Sequence, residues 1–178
     1  RRVLAGLQRR VRGLAMLHRT LYTKPESTTV DAADLIAALV HDLIGDGQSY
    51  LPDVEMTLES VALFPDQAVP LSMLAAEALT NATKYVGQPE NGSAAIRVSL
   101  TIDGDKAASL VIENTKGAPL GPQDTTPEPG GGVGARLMAA FVQQLEGKAD
   151  IEDTDALYRY RLRFTSSDID PDAARLPH

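Results

Sequence analysis

The chain has no cysteine, so no disulfide framework holds it together. It also lacks a run of apolar residues long enough to cross a bilayer, and its start is not the charged-then-apolar segment of a signal peptide. These absences predict a cytoplasmic piece without membrane contact. The first residue is Arg1 rather than methionine, and the expectation is that a sensor domain or membrane anchor precedes it. An excess of positive charge is missing too. Seventeen Lys and Arg against 24 Asp and Glu give a net charge of −7, which argues against nucleic acid as a partner, because phosphate binding needs a clustered positive surface.

What is present is enough for one substantial core and an appended arm: 178 residues, 43% of them hydrophobic. The arm departs from the acidic average. Six arginines and no acid lie between Arg1 and Tyr22, which suits either a solvated helix face or a docking surface for an acidic partner. Leu4, Leu7, Val11, Leu14, His18 and Leu21 recur at spacings of three and four, the seam of a helical hairpin or coiled coil. Such a seam calls for a partner helix, and a homodimer through the arm is expected. Lys24-Pro25-Glu26-Ser27 breaks it. A second helix follows with Asp31 as its cap, Leu35, Ile36, Leu39, Val40, Leu43 and Ile44 as its apolar face, and Gly45-Asp46-Gly47 as its stop.

Beyond that the pattern turns β-rich. Runs over 54–61, 95–102, 107–113, 149–153 and 158–164 predict five strands. Helices are expected over 70–85, with Pro70 in the first turn, and over 133–145, ended by Gly147. This order suggests an α+β layer, with helices covering one face of a mixed or antiparallel sheet. Residues 115–132, rich in Gly, Pro and Thr, read as a functional or mobile loop, and 167–178 as a polar tail.

Three segments carry candidate chemistry. In Glu77-Ala-Leu-Thr-Asn81-Ala-Thr-Lys84-Tyr85, the residues Glu77, Asn81 and Lys84 share one helix face. Magnesium takes oxygen ligands and keeps several waters, so one amide oxygen from Asn81 with triphosphate oxygens suffices to hold it. Glu77, one turn earlier, is placed to bond a metal-bound water or orient an attacking group. Alternatively the face simply meets water. Gly130-Gly131-Gly132-Val133-Gly134 runs into a helix start, where backbone and amides approach a polyphosphate, or else forms a flexible linker. Val111-Ile112-Glu113-Asn114-Thr115-Lys116-Gly117-Ala118-Pro119 leaves a strand through an acid, an amide and a glycine. It is either an adenine-binding strand end, with the acid accepting from the amino group, or an ordinary polar turn.

In this order and spacing the three segments resemble the GHKL ATPase superfamily of gyrase, the large heat-shock chaperone, histidine kinases and MutL. Within it they are most similar to sensor histidine kinases of the HWE and HisKA2-like type. Glu77 to Tyr85 looks like the Asn box, Glu113 to Pro119 takes the place of the first glycine box, and Gly130 to Leu137 looks like the second. Arg9 to Tyr22 resembles the second helix of the dimerisation and histidine-phosphotransfer hairpin. The resemblance implies an arm over 1–24, an ATP-binding catalytic domain over 28–166 and a tail over 167–178. It implies an α/β sandwich with a five-stranded mixed sheet covered by helices. Asn81 would hold magnesium, Lys84 would lie near the phosphates, and Tyr85, Glu113, Asn114, Gly117, Gly130, Gly132 and Gly134 would line the ATP site, the last two closing a lid. The implied reaction passes the γ-phosphoryl group to a histidine and then to an aspartate of a response regulator. Two positions depart from the family pattern: Glu113 stands for an aspartate and Thr115 for a glycine.

The family's acceptor histidine lies on the first hairpin helix, so it is expected before Arg1. His18 shares the seam with Leu14 and Leu21 and reads as packed, His41 points off its helix's apolar face, and His178 is in the tail. Two other functions compete. One is a phosphotransfer or scaffold protein whose ATPase-like domain no longer uses ATP, favoured by Glu113 and Thr115. The other is an anti-sigma-factor serine kinase, which leaves the heptad arm unexplained.

Overall fold

A computed structural model describes residues 29–44, 52–104, 106–120 and 131–166. The arm over 1–24 with His18, the Gly45-Asp46-Gly47 stop, Gly130 and the tail with His178 lie outside them.

The first described helix, α1 (Ala32–Ile44), follows a two-residue strand, β1 (Val30–Asp31). Asp31 caps it as the sequence predicts: its Oδ1 accepts from the Ala33 N–H at 2.8 Å. The same carboxylate accepts from the Val61 N–H and the Ser60 hydroxyl, tying the helix start to β3 (Ala62–Leu63), which pairs with β1. Leu35, Ile36, Leu39, Val40 and Ile44 are buried, with Leu43 at the margin of the same stripe. His41 is exposed.

The long helix α2 (Pro65–Tyr85) begins five residues before the predicted start. Two prolines compete for the first turn. Pro65 takes it, where a missing N–H costs nothing, and Pro70 lies buried inside the helix at the cost of one backbone bond. Ala68, Leu71, Leu74, Ala75, Ala78, Leu79 and Ala82 form the buried stripe. The small alanines allow close approach, and both α1 and α3 (Gly131–Gln144) pack on this helix. Gly131, Gly132 and Gly134 are thus themselves helical, and α3 starts two residues earlier than predicted.

The sheet contains β2 (Asp53–Leu58), β5 (Ala95–Ile102), β6 (Ala107–Thr115), β8 (Lys148–Asp153) and β9 (Leu157–Thr165) in the order β2-β5-β6-β9-β8. Only β2 and β5 are parallel, joined through the α2 crossover, and the other pairs are antiparallel. The mixed five-stranded sheet with helices on one face is the expected α+β sandwich. Two short strands, β4 (Gly87–Gln88) and β7 (Ala118–Pro119), pair with each other beside it. β2 stops at Leu58 rather than running to Val61, because Val61 turns inward to become core.

Side chains alternate across the sheet. Ile96, Val98 and Leu100 of β5, Ala108, Leu110 and Ile112 of β6, and Tyr160, Leu162 and Phe164 of β9 face the helices and are buried. The opposite face carries no helix among the described residues and is polar. Leu110, fully buried on the central strand, reports on this core. Leu110→Ala should lower the unfolding free energy by about 2–5 kcal/mol in chemical denaturation. A loss below about 1 kcal/mol would show that the helix layer does not press on β6 as described.

Candidate nucleotide-binding site

On α2, Glu77 and Asn81 are partly buried while Lys84 and Tyr85 are exposed, and the Lys84 Nζ lies 5.1 Å from the Tyr85 ring centroid. The Glu77 carboxylate reaches α3: a Cβ built on Gly134 would stand 2.6 Å from Glu77 Oε1. The structure therefore brings one end of the Asn-box face against the second glycine run. It sets a carboxylate at the positive end of α3, where negative charge is favoured, and glycine at 134 leaves room for it.

The strand end divides its chemistry between two faces. Asn114 follows Ala108, Leu110 and Ile112 onto the helix side and is 1% exposed. Its Nδ2 donates to the Thr115 carbonyl at 3.0 Å, whereas its Oδ1 has no partner among the described residues. Glu113 points the other way. Expected at the adenine, it lies on the helix-free face, away from α2. The physical reason is the two-residue period of the strand: consecutive side chains cannot share a face.

Glu113 has a full set of partners there. Register aligns Glu55, Arg97, Glu113, Arg159 and Glu152 across all five strands, with charges alternating at every step. Arg97 bridges Glu55 at 3.0 Å and Glu113 at 3.1 Å. Arg159 bridges Glu113 at 2.6 Å and also pairs with Glu152. Each Glu113 oxygen thus meets a different arginine, which the length of glutamate allows. The Arg159 guanidinium is held above its ordinary range, first by its hydrogen bond to Glu113, and Arg97 is raised first by Glu55 and then by Glu113. Two grooves, of about 400 and 350 Å3, open on this same face, and neither is lined by α2 or α3.

Thr115, the second departure from the glycine-box pattern, also has a structural task. Its Oγ1 accepts from the Ala95 N–H at 3.0 Å and donates to the Gly87 carbonyl at 2.8 Å. It thereby ties the end of β6 to β4, which follows the Asn-box helix. Gly117 lies against that strand as well. With φ +151°, a Cβ on it would stand 1.9 Å from the Gln88 carbonyl oxygen, so glycine is required by backbone contact. Sequence reasoning gave Gly117 to the ligand, but its closest neighbour is backbone. Of the remaining glycines, α3 includes Gly132, and Gly130 lies outside the described residues.

Reading the motifs alone passed over the tyrosines of β9. Tyr158 stands directly across from Asn114 and Tyr160 across from Ile112, both on the helix side. The Tyr158 hydroxyl is raised above its ordinary pKa by burial first, then by Asp153 and Tyr85. Burial pushes Tyr160 up to about 12, with Tyr158 adding to the effect, and its hydroxyl has no partner among the described residues. The alternation in Tyr158-Arg-Tyr160-Arg-Leu162 was the available signal.

The described residues thus form a mixed sheet with helices on one face, and the helix carrying Glu77 and Asn81 is set against a glycine-led helix. A family model described as histidine kinase matches residues 1–46. The blue-light-activated histidine kinase EL346 of Erythrobacter litoralis superposes with a TM-score of 0.73 at 18% identity, over 92% of this chain and 49% of that one. Its isolated histidine kinase domain gives 0.68 at 18% identity, over 90% and 75%. The histidine kinase AdeS of Acinetobacter baumannii gives 0.59 at 15% identity, over 94% and 80%. The chain therefore spans about half the length of the full light-activated kinase. No curated protein matches its sequence. The described residues have the histidine kinase catalytic fold, with a histidine kinase segment matched over 1–46. No helix among them is long and apolar enough to cross a membrane.

Two outcomes follow. Gly117→Ala should destabilise the protein by at least about 1–3 kcal/mol, measured by urea unfolding; an unchanged midpoint would contradict the close approach to Gln88. Tyr160 is raised from 10.0 to about 12 in the folded state. Its contribution to stability is whole below pH 10, where both states are protonated, and is lost as pH climbs toward 12, where only the unfolded state ionises readily. Stability of the Tyr160→Phe variant should fall less over that interval than wild type, and parallel curves would contradict the burial of this hydroxyl.

Proposed function

We propose that this chain is the ATP-binding catalytic region of a two-component sensor histidine kinase acting in the cytoplasm. It would move the γ-phosphoryl group of ATP to a histidine and thence to an aspartate of a response regulator, working as a homodimer paired through the arm. The observation that carries the reading is Asn114 Oδ1, a buried acceptor without a partner among the described residues, on the side of the sheet where α2 packs. An adenine amino group is a donor of the kind it lacks. Among the described residues no three acids, histidines or cysteines gather to hold a metal, and magnesium needs none if phosphate oxygens complete its shell.

Each residue then has a task. Asn81 would hold magnesium through its amide oxygen, and Glu77 would accept from a water of the ion's shell or orient the attacking group. Lys84 faces the phosphates, the N-terminal amides of α3 near Gly132 and Gly134 approach them, and Tyr85 borders the site. Glu113 drops out as a base contact, and Gly117 acts by holding β7 against β4. Bound magnesium supplies charge neutralisation; the side chains supply position. The acceptor is a histidine other than the seam residue His18 or the exposed His41.

A second reading, a phosphotransfer or scaffold protein that has lost ATP, draws support from the 1% exposure of Asn114, which leaves the base-facing surface covered. Glu113 and Thr115 no longer favour it, since both hold the sheet together. Melting with nucleotide separates the two. At a hundredfold excess over its dissociation constant a ligand stabilises by about 2.7 kcal/mol, and at roughly 2–4 °C per kcal/mol magnesium-ATP should raise the midpoint by about 5–10 °C. Asn81→Ala should keep the ligand-free midpoint and lose the magnesium-dependent part of the shift. No shift in folded wild-type protein at millimolar ATP would leave the scaffold reading.

A further inference from the structure

Two side-chain atoms among the described residues are buried without a hydrogen-bond partner, Asn114 Oδ1 and the Tyr160 hydroxyl. A buried group left unmet carries a real cost, and its persistence calls for something that meets it. These two are neighbours. Asn114 faces Tyr158 and Ile112 faces Tyr160 across the β6–β9 pair, so Asn114 and Tyr160 are diagonal partners on one face, with backbones about 7–8 Å apart and within reach of an aromatic side chain.

Their chemistry is complementary. Asn114 Nδ2 donates one N–H to the Thr115 carbonyl, which sets the orientation of the amide and leaves Oδ1 as an unmet acceptor. The Tyr160 hydroxyl carries its proton throughout the neutral range, as any tyrosine does, and so can donate. A ligand edge that satisfies both has an N–H beside an acceptor. Adenine has that edge, an exocyclic amine flanked by ring nitrogens. Guanine sets a carbonyl where adenine has the amine and would place acceptor against acceptor at Asn114.

We propose that the Tyr160 hydroxyl is a second base-reading group of the nucleotide site, donating to a ring nitrogen while Asn114 Oδ1 accepts from the exocyclic amine. This rests on the nucleotide reading above. Both atoms are buried, so the base enters by displacing what covers them.

The test compares wild type with Tyr160→Phe by titration calorimetry, using magnesium-ATP, its 1-deaza and 7-deaza analogues, and GTP. Wild type should bind ATP best, with one deaza analogue about three- to tenfold weaker. Tyr160→Phe should bind ATP weaker by the same factor and no longer distinguish that analogue from ATP. Its ligand-free midpoint should stay or rise, because the lost hydroxyl had no partner. Wild-type affinity with unchanged discrimination in Tyr160→Phe would overturn this inference alone and leave a buried hydroxyl met by water. Failure of wild type to bind any adenine nucleotide would overturn the nucleotide reading and this one with it.

Discussion

Strand β6 is paired on both edges, and its two faces carry different chemistry. One face closes the core under α2; the other bears the centre of a charge ladder. Because side chains alternate, every residue of the strand is committed to one of these environments, and a one-residue slip would bring Glu113 into the core and Ile112 out of it. Burying an acid in the apolar core beneath α2 costs far more than the strand gains from any single contact. Register is therefore fixed by the apolar row Ala108, Leu110 and Ile112, and that register decides that Asn114, the next residue in the row, faces the helices.

The ladder on the other face matters for a different reason. Exposed ion pairs contribute little individually, about 0.2–1 kcal/mol, and the outer glutamates Glu55 and Glu152 are half open to water. Glu113 is different: its side chain is only 11% exposed and meets an arginine on each side. Removing it leaves Arg97 and Arg159 with one carboxylate each, Glu55 and Glu152, in place of two. This accounts for glutamate where the family resemblance leads one to expect aspartate. Thr115 follows the same logic, since its hydroxyl joins three strands.

Much of the architecture was legible before any coordinates. The β5 boundaries, the Asp31 cap and the apolar stripe of α1 follow from local period and capping chemistry. Glu77, Asn81 and Lys84 share a helix face as their spacing requires. What escaped were features decided between distant residues. The α2 start was misplaced because two prolines offered the same signal and tertiary packing chose between them. The adenine contact was given to Glu113 because motif order names a position, whereas the sheet decides which way that position faces. Gly117 looked like a ligand glycine because its contact with the Gln88 backbone depends on the β4–β7 pairing. The tyrosines of β9 had no motif at all, only alternation. The arm over 1–24 is outside the described residues.

The central claim is that the nucleotide meets Asn114 and the α2 side of the sheet, with Glu113 on the far face. Backbone and side-chain amide resonances followed during titration with a non-hydrolysable magnesium-ATP analogue test it directly. The account predicts large shifts at the Asn114 side-chain amide, at Asn81 and at Gly134, with Arg97, Glu113 and Arg159 moving little. Large shifts centred on the Arg97–Glu113–Arg159 row, with Asn114 and Asn81 unmoved, would contradict it.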